Sequence, residues 1–188
     1  MNPILIDFPS EFETERLVIR MPMPGDGEVV YESKQVSKKE LLPWMAWAHR
    51  DGTLEEEEIN IREAHINFLT RQDLRLLVFD KETGVLVANS GLHRIDWKSR
   101  KFEIGYWVDS RHSGKGYITE AVQGITNFAF HELQANRVEI RCDANNLKSR
   151  AVAERVGYDL EGILRKDSYD VYGKELRDTC LYALVKES

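Results

Sequence analysis

RHSGKGY, at residues 111 to 117, joins a strand-like run at residues 102 to 109 to an amphipathic run at residues 115 to 132. Gly114 and Gly116 have no β-carbon, so the backbone there approaches a ligand closely and turns its N–H groups toward it. The helix that follows adds the positive end of its dipole. A strand, a glycine turn and a helix start in this order predict a phosphate or pyrophosphate site.

The turn does not match the two commonest phosphate motifs. A P-loop requires Gly-Lys followed by Ser or Thr, whereas Lys115 is followed by Gly116. A dinucleotide fingerprint requires a third Gly or Ala where Thr119 stands. The pattern that the turn does match is R/Q-x-x-G-x-G/A, filled by Arg111, Gly114 and Gly116.

A second block, RVEIRCDANNLKSRAVAERVGY at residues 137 to 158, reads as a strand followed by a short helix. Asn146 and Ser149 lie at N-x-x-S spacing after the strand, and Gly157 and Tyr158 close the helix. Together with the R/Q-x-x-G-x-G/A turn, this order resembles the cofactor site of the GNAT acetyltransferase superfamily.

One branch of that superfamily is resembled in particular, through EIGYW at residues 103 to 107 and the pair Tyr172-Gly173. The branch contains the acetyltransferases that act on the N-terminal Ser or Ala of ribosomal proteins. The resemblance runs from ETERLVIR at residues 13 to 20 to the final strand at residues 175 to 186. It implies an α+β chain with the GNAT fold, in which helices flank a mixed, mostly antiparallel central sheet of about seven strands. A V-shaped splay at the fourth strand is expected to admit acetyl-CoA.

Hydrophobic periodicity places the elements along the chain. Helices are predicted at residues 26 to 40, 54 to 70 and 115 to 132, and a strand at residues 13 to 21. A β-hairpin is predicted from residues 74 to 80 and 85 to 95, with Gly84 in its turn, and two last strands near residues 159 to 167 and 175 to 185.

Composition indicates one domain over residues 1 to 188, because a chain of 188 residues buries about two-thirds of its unfolded surface in one core. No apolar run approaches the roughly 20 residues of a membrane span, and no targeting segment is recognised. Cys142 and Cys180 match no metal or redox spacing, so reduced thiols in the cytoplasm are expected. The five histidines lack ligand spacing, and no metal is predicted.

The resemblance implies acetyl-CoA as cofactor, with CoA as product. It implies these cofactor-binding residues: Trp107, Val108, Arg111, His112, Ser113, Gly114, Lys115, Gly116, Tyr117, Ile118, Thr119, Asn146 and Ser149. Backbone groups of Trp107 and Val108 are expected to contact the thioester and the pantetheine arm, with the Val108 N–H as a partial oxyanion donor. Several alternatives stay open: Arg111 contacts phosphate or pairs within the loop, Lys115 does the same or is solvated, His112 is only a loop residue, and Asn146 caps the helix or binds the arm.

Glu103 is predicted to be the general base, because strand alternation puts it beside Gly105, where open space lets a carboxylate reach an acceptor amine. The alternative is an ordinary strand glutamate paired with Lys or Arg. The tyrosine acid of many superfamily members would stand at Ala153, so it is missing. The resemblance carries the role at the sulfur to Ser149, which donates a hydrogen bond to the developing charge or, alternatively, caps the helix.

The resemblance also implies a substrate-binding set, which consists of Trp44, Trp47, Gly105, Tyr169 and Tyr172. Core packing is the alternative for LLPWMAW at residues 41 to 47, and hairpin packing or a dimer contact is the alternative for the two tyrosines.

The predicted activity is transfer of an acetyl group from acetyl-CoA to a primary amine, most of all the N-terminal α-amino group of a protein. The alternatives are acetylation of a small amine, such as a polyamine, an aminoglycoside or an amine-bearing toxin, and a non-catalytic CoA-binding sensor. A net charge of −6 favours a basic protein N-terminus over nucleic acid as the partner. No membrane partner is expected, and the oligomeric state is a monomer or a homodimer.

Overall fold

Eight strands form one sheet in the order β1-β2-β3-β4-β5-β6-β8-β7 in the computed structural model, which describes residues 2 to 186. The strands are β1 Glu11–Glu13, β2 Leu17–Arg20, β3 Leu74–Asp80, β4 Leu86–Asp96, β5 Lys101–Val108, β6 Arg137–Asp143, β7 Asp159–Tyr169 and β8 Leu176–Val185. The helices are α1 Gly27–Leu41, α2 Leu54–Leu69, α3 Tyr117–His131 and α4 Leu147–Val156, with short 3-10 turns at Pro3–Leu5, Ala46–His49 and Ser110–His112.

The parallel pair β5 and β6 is where the sheet opens. All other neighbouring strands are antiparallel. Pairing of β5 with β6 begins at Lys101 opposite Arg137 and ends at Glu103 opposite Glu139, so the rest of β5 has no partner on that side. This is the V-shaped splay predicted at the fourth strand, which is β5 here because β1 precedes the strands that were predicted, and the GNAT fold within an α+β chain is confirmed.

The sheet has eight strands rather than about seven because β1, at Glu11–Glu13, was not predicted, and the strand predicted at residues 13 to 21 is β2, which begins only at Leu17. β1 and β2 pair antiparallel around Thr14 to Arg16, although this segment contains no Gly or Pro. Thr14 Oγ1 donates to Glu120 Oε1 at 2.6 Å, and Arg16 N donates to the same oxygen at 2.8 Å. A carboxylate more than a hundred positions away in the chain therefore fixes the turn, which local sequence cannot show.

Two apolar clusters lie on opposite faces of the sheet. The larger cluster joins α3 and α4 to the sheet and contains Phe102 and Ile104 of β5. The smaller joins α1 and α2 to the other face through Val30 and Ile61. Leu77 belongs to the smaller cluster while its neighbours along β3 belong to the larger, as strand alternation requires.

Helix ends follow their capping residues. α2 has the capping box that Thr53 and Glu56 predict, with both hydrogen bonds formed. α3 begins at Tyr117 rather than at residue 115, because Gly116 has φ of 81° and acts as the N-cap. Lys115 and Gly116 thus belong to the loop. Within residues 2 to 186, no helix has the length and apolar character that crossing a membrane requires.

Candidate acetyl-transfer site

The glycine turn leaves an open cradle at the start of α3. Gly114 has φ of 79°, and a β-carbon built on it would meet nothing within 4 Å. The first helical hydrogen bond of α3 runs from Glu120 N to Gly116 O at 3.1 Å. The N–H groups of Tyr117, Ile118 and Thr119 precede that bond and have no helical partner. Such N–H groups at the positive end of a helix fit the pyrophosphate of coenzyme A.

Two arginines near the cradle have different partners. Arg111 is bound within the loop, since its guanidinium reaches Asp109 Oδ2 at 2.8 Å and Glu32 Oε1 at 2.7 Å. Arg111 thus pairs with Asp109 of the loop and with Glu32 of α1, and its contact with a coenzyme A phosphate stays a prediction. Arg16 was not predicted: its Nη1 donates to Lys115 O at 3.0 Å, and its guanidinium lies 4.8 Å from the centroid of the Tyr117 ring. Only the long-range turn at β2 brings this cation to the loop.

The backbone of β5 alternates between β4 and the opening. Asp109 N donates to Val87 O of β4 at 2.9 Å, and in an antiparallel pair every second residue makes such bonds. The N–H and C=O of Trp107 therefore face β4, where Trp107 lies opposite Asn89. Those of Val108 face the opening. Val108 is the member of this pair whose N–H fits the role of oxyanion donor.

Ser149 and Tyr106 form a hydroxyl pair that connects α4 to β5 across the opening. Ser149 Oγ donates to Tyr106 Oη at 3.0 Å, and Tyr106 Oη donates to Ser149 O at 2.8 Å. Burial raises the pKa of Tyr106, so this phenol stays protonated. Capping by Ser149 was the wrong alternative, because Asn146 is the N-cap and its Oδ1 accepts from Ser149 N at 3.1 Å. The Ser149 hydroxyl would reach a thiolate by turning away from Tyr106 Oη, to which it donates here.

Two free cysteines and a buried alanine belong to the larger apolar cluster on this side of the sheet. Cys142 of β6 is a free thiol, and burial raises its pKa to about 11, so it is a weak nucleophile at neutral pH. Its cross-strand neighbour Cys180 is also free and is fully buried. Ala153, at the position of the tyrosine acid, is fully buried in the larger cluster and carries no group that could donate a proton.

Glu103 lies on the opposite face of β5 and is mostly buried. Its Oε2 accepts from Arg94 Nη1 at 3.2 Å. Burial raises the pKa of Glu103 and outweighs the opposing effect of Arg94. Glu103 therefore has the property expected under each alternative: it is paired with an arginine, and it is a stronger base than an exposed glutamate.

The space over Gly105, which the sequence predicts to be open, is occupied by His93. A β-carbon on Gly105 would lie 3.1 Å from His93 Cδ2, and one on Gly91 would lie 2.9 Å from His93 Cε1. His93 Nδ1 lies 2.6 Å from Asp73 Oδ2. The spacing of the histidines along the sequence does not predict this arrangement. It depends on Gly91 lying opposite Gly105 on β4 and β5, which is known only once the strand register is known.

The predicted acceptor residues divide into two groups. Trp47, in the turn after α1, packs against Trp107 with ring centroids 5.6 Å apart. Tyr172, between β7 and β8, lies edge-on to His49 at 4.8 Å. These contacts bring the α1–α2 connection and the last hairpin to the face that carries Glu103. Tyr169 does not join them: it lies in β7 opposite Leu176 and is 63% exposed.

Trp44 is half-buried in the turn that follows α1, and no contact of its ring with the other aromatic residues is present in the described part of the chain. His112 lies 6.1 Å from Tyr117 between ring centroids, at the edge of the glycine cradle. In residues 2 to 186, no three His, Cys, Asp or Glu side chains meet in a group that could hold a metal ion.

Comparisons with known proteins agree with this geometry. The family model described as "Acetyltransferase (GNAT) domain" matches residues 16–159. "Putative ribosomal N-acetyltransferase YdaF" of Bacillus subtilis (strain 168) is 35% identical over 178 residues, which cover 92% of this chain and 92% of that protein. "Ribosomal-protein-serine acetyltransferase" of Escherichia coli (strain K12) is 33% identical over 108 residues, or 55% of this chain and 56% of that protein.

Solved structures give the same result. A "Probable acetyltransferase" is 32% identical with a TM-score of 0.84, covering 94% of this chain and 97% of that one. "Microcin C7 self immunity acetyltransferase MccE in complex with Acetyl-CoA and AMP" is 25% identical with a TM-score of 0.86, covering 95% and 98%. With its open cradle, splayed strand and hydroxyl pair, the chain thus belongs to the GNAT acetyltransferase family and is an acetyl-CoA-dependent N-acetyltransferase.

Proposed function

We propose that this enzyme acetylates the N-terminal α-amino group of a cytoplasmic protein of ribosomal type. The observation that carries the proposal is the pair of polar groups on opposite faces of one strand: Glu103 faces the aromatic side, and Tyr106, bonded to Ser149, faces α4. An amine that enters past the aromatic residues meets a base before it meets the opening. The relative that is 35% identical is itself named for ribosomal acetylation, which supports this acceptor class.

The chain's own groups divide the work. Gly114, Gly116 and the first N–H groups of α3 would hold the pyrophosphate, and the Val108 N–H and the Asn146 side chain would hold the arm. Bound acetyl-CoA supplies an activated acetyl group. Glu103 would accept the proton that the nitrogen loses as the C–N bond forms, and the Ser149 hydroxyl would turn from Tyr106 Oη to donate a hydrogen bond where the thiolate departs.

An α-amino group suits this site better than a lysine. Its pKa of about 8 lies more than two units below that of a lysine side chain, so a larger share of it is already neutral at pH 7 and able to attack. The net charge of −6 also favours approach of a basic protein tail.

A direct test uses peptides that begin with Ser or Ala and carry an internal lysine. Released thiol would be measured, and mass spectrometry would locate the acetyl group. We expect acetylation at the N-terminus alone, and no thiol release from the same peptides with a blocked N-terminus. Acetylation confined to the lysine would contradict the proposal.

A second candidate acceptor is a small amine that carries a flat group. The Trp47 and Trp107 rings, 5.6 Å apart, offer a stacking surface that suits such a molecule. Small amines in the same thiol-release assay would reveal this activity, and a kcat/KM far above that of the best peptide would favour it. The non-catalytic alternative is not retained, because the family and the relatives are acetyltransferases.

A further inference from the structure

We propose that His93, oriented by Asp73, takes the first proton from the acceptor's ammonium group and passes it to water. The inference rests on the proposed function, since it concerns an acceptor that arrives as a cation. It assigns a catalytic role to a residue that neither motif contains.

Two glycines position the His93 ring. Gly91 and Gly105 lie opposite each other on β4 and β5, and the imidazole lies over both. A β-carbon at Gly105 would lie 3.4 Å from His93 Nε2. Any side chain at either position would displace the ring. The glycine pair therefore places Nε2 above the strand segment that borders the opening.

Asp73 orients the His93 ring through a hydrogen bond. Because Nδ1 lies 2.6 Å from Asp73 Oδ2, the carboxylate fixes the ring and favours the tautomer in which Nε2 has a free lone pair. Within residues 2 to 186, no side chain or backbone group hydrogen-bonds to Nε2. The side chain is 34% exposed, so a proton taken at Nε2 has a route to solvent.

The acceptor nitrogen loses two protons during the reaction. An ammonium R–NH3+ and CH3CO–S–CoA give R–NH–CO–CH3, HS–CoA and H+, so a C–N bond forms, a C–S bond breaks, and the nitrogen loses two protons. One proton ends on the sulfur and the other in water. His93 and Glu103 are opposite each other in the register. The site thus has one acceptor for the proton lost before attack and another for the proton lost as the C–N bond forms.

The charged groups around His93 act together. Asp73 precedes β3, Glu103 faces the ring from β5, and Arg94 of β4 holds Glu103. Glu139 and Arg141 of β6 act on Glu103 from its other side. The ring therefore lies between the carboxylates of Asp73 and Glu103, of which the first interacts with Arg75 of β3 and the second with Arg94.

The test compares His93→Gln and His93→Ala with His131→Gln, whose exposed histidine lies at the end of α3. With the best acceptor, we expect kcat/KM near pH 7 to fall by about 100-fold in both His93 variants. The loss should shrink above about pH 9, where the α-amine is already neutral. Added imidazole should restore His93→Ala at least in part, and His131→Gln should match the wild type. All variants should keep the acetyl-CoA melting shift.

Two outcomes would overturn the inference: His93→Gln with wild-type activity at every pH, or a loss that is constant with pH and that imidazole does not reverse, which a merely structural role would produce. Asp73→Asn should show a smaller loss with the same pH trend. A wild-type enzyme that acetylates no amine in the panel would overturn the proposed function and this inference together, and would be recognised before any variant is made.

Discussion

Glu103 lies between a histidine and an arginine. Burial raises the pKa of Glu103 by more than the positive charge of Arg94 lowers it. A carboxyl group whose pKa is raised by folding stabilises the protein only while it is protonated. That contribution is complete below the ordinary glutamate pKa of about 4.3, and it is lost as pH rises through the raised pKa. At neutral pH the ionised Glu103 therefore lowers the free energy of unfolding relative to a neutral side chain.

Glu103→Gln should for this reason raise the melting temperature at pH 7, and the gain should disappear as pH falls toward about 4. The same variant should lower kcat by about 100-fold if Glu103 accepts a proton. Thermal melts at several pH values and the peptide assay measure both effects.

Glu161→Gln is the control, because Arg137 lowers the pKa of Glu161 and the substitution should not stabilise. A Glu103→Gln protein that melts below the wild type at pH 7 would show that the ion pair with Arg94 outweighs burial.

At the scale of single elements, the loop between β5 and α3 depends on two glycines in the left-handed region. Gly114→Asp should abolish binding of acetyl-CoA, because it places a negative charge where the cradle would hold phosphates. The melting shift that saturating ligand gives the wild type, about 2.7 kcal/mol at 100 times the dissociation constant, should vanish.

Gly173→Asp is the matched control, because Gly173 has φ of 67° and equally open surroundings in the turn between β7 and β8. It should keep the shift. A Gly114→Asp protein with an unchanged shift would contradict the assignment of the cradle to phosphate.

Sequence predicts elements whose signals are local and misses those whose signals are not. The glycine turn and the order of strands and helices are readable from the sequence, because each depends on neighbouring residues. The turn at Thr14 depends on Glu120, and the histidine cradle depends on which glycines face each other across two strands. The assignments of site residues, including Glu103, stay predictions until they are tested.

At the scale of the whole molecule, the sheet consists of two halves that meet through the short pairing of β5 with β6. Packing of α3 against α4, the Tyr106–Ser149 hydroxyl pair and the contact of His49 with Tyr172 also connect the halves. An extended ligand in the opening would hydrogen-bond to the free side of β5 and so join the halves.

Hydrogen exchange should show this directly. Acetyl-CoA should slow exchange of the Val108 and Tyr106 amides, which face the opening, more than that of Trp107 and Gly105, which face β4. Exchange measured with and without ligand by NMR resolves the alternation. Equal protection of all four amides would indicate general stiffening rather than an added strand.

β8 lies inside the sheet although it is the last of the described strands to be made. It pairs with β6 on one side and β7 on the other, and β7 has no other partner. Until residues 176 to 185 have left the ribosome, β6 and β7 therefore lack the strand that pairs with both of them. Chaperone binding and premature aggregation are most expected at that stage of translation. Release of residues 176 to 185 from the ribosome ends this exposure, so slow release of the finished chain would prolong it.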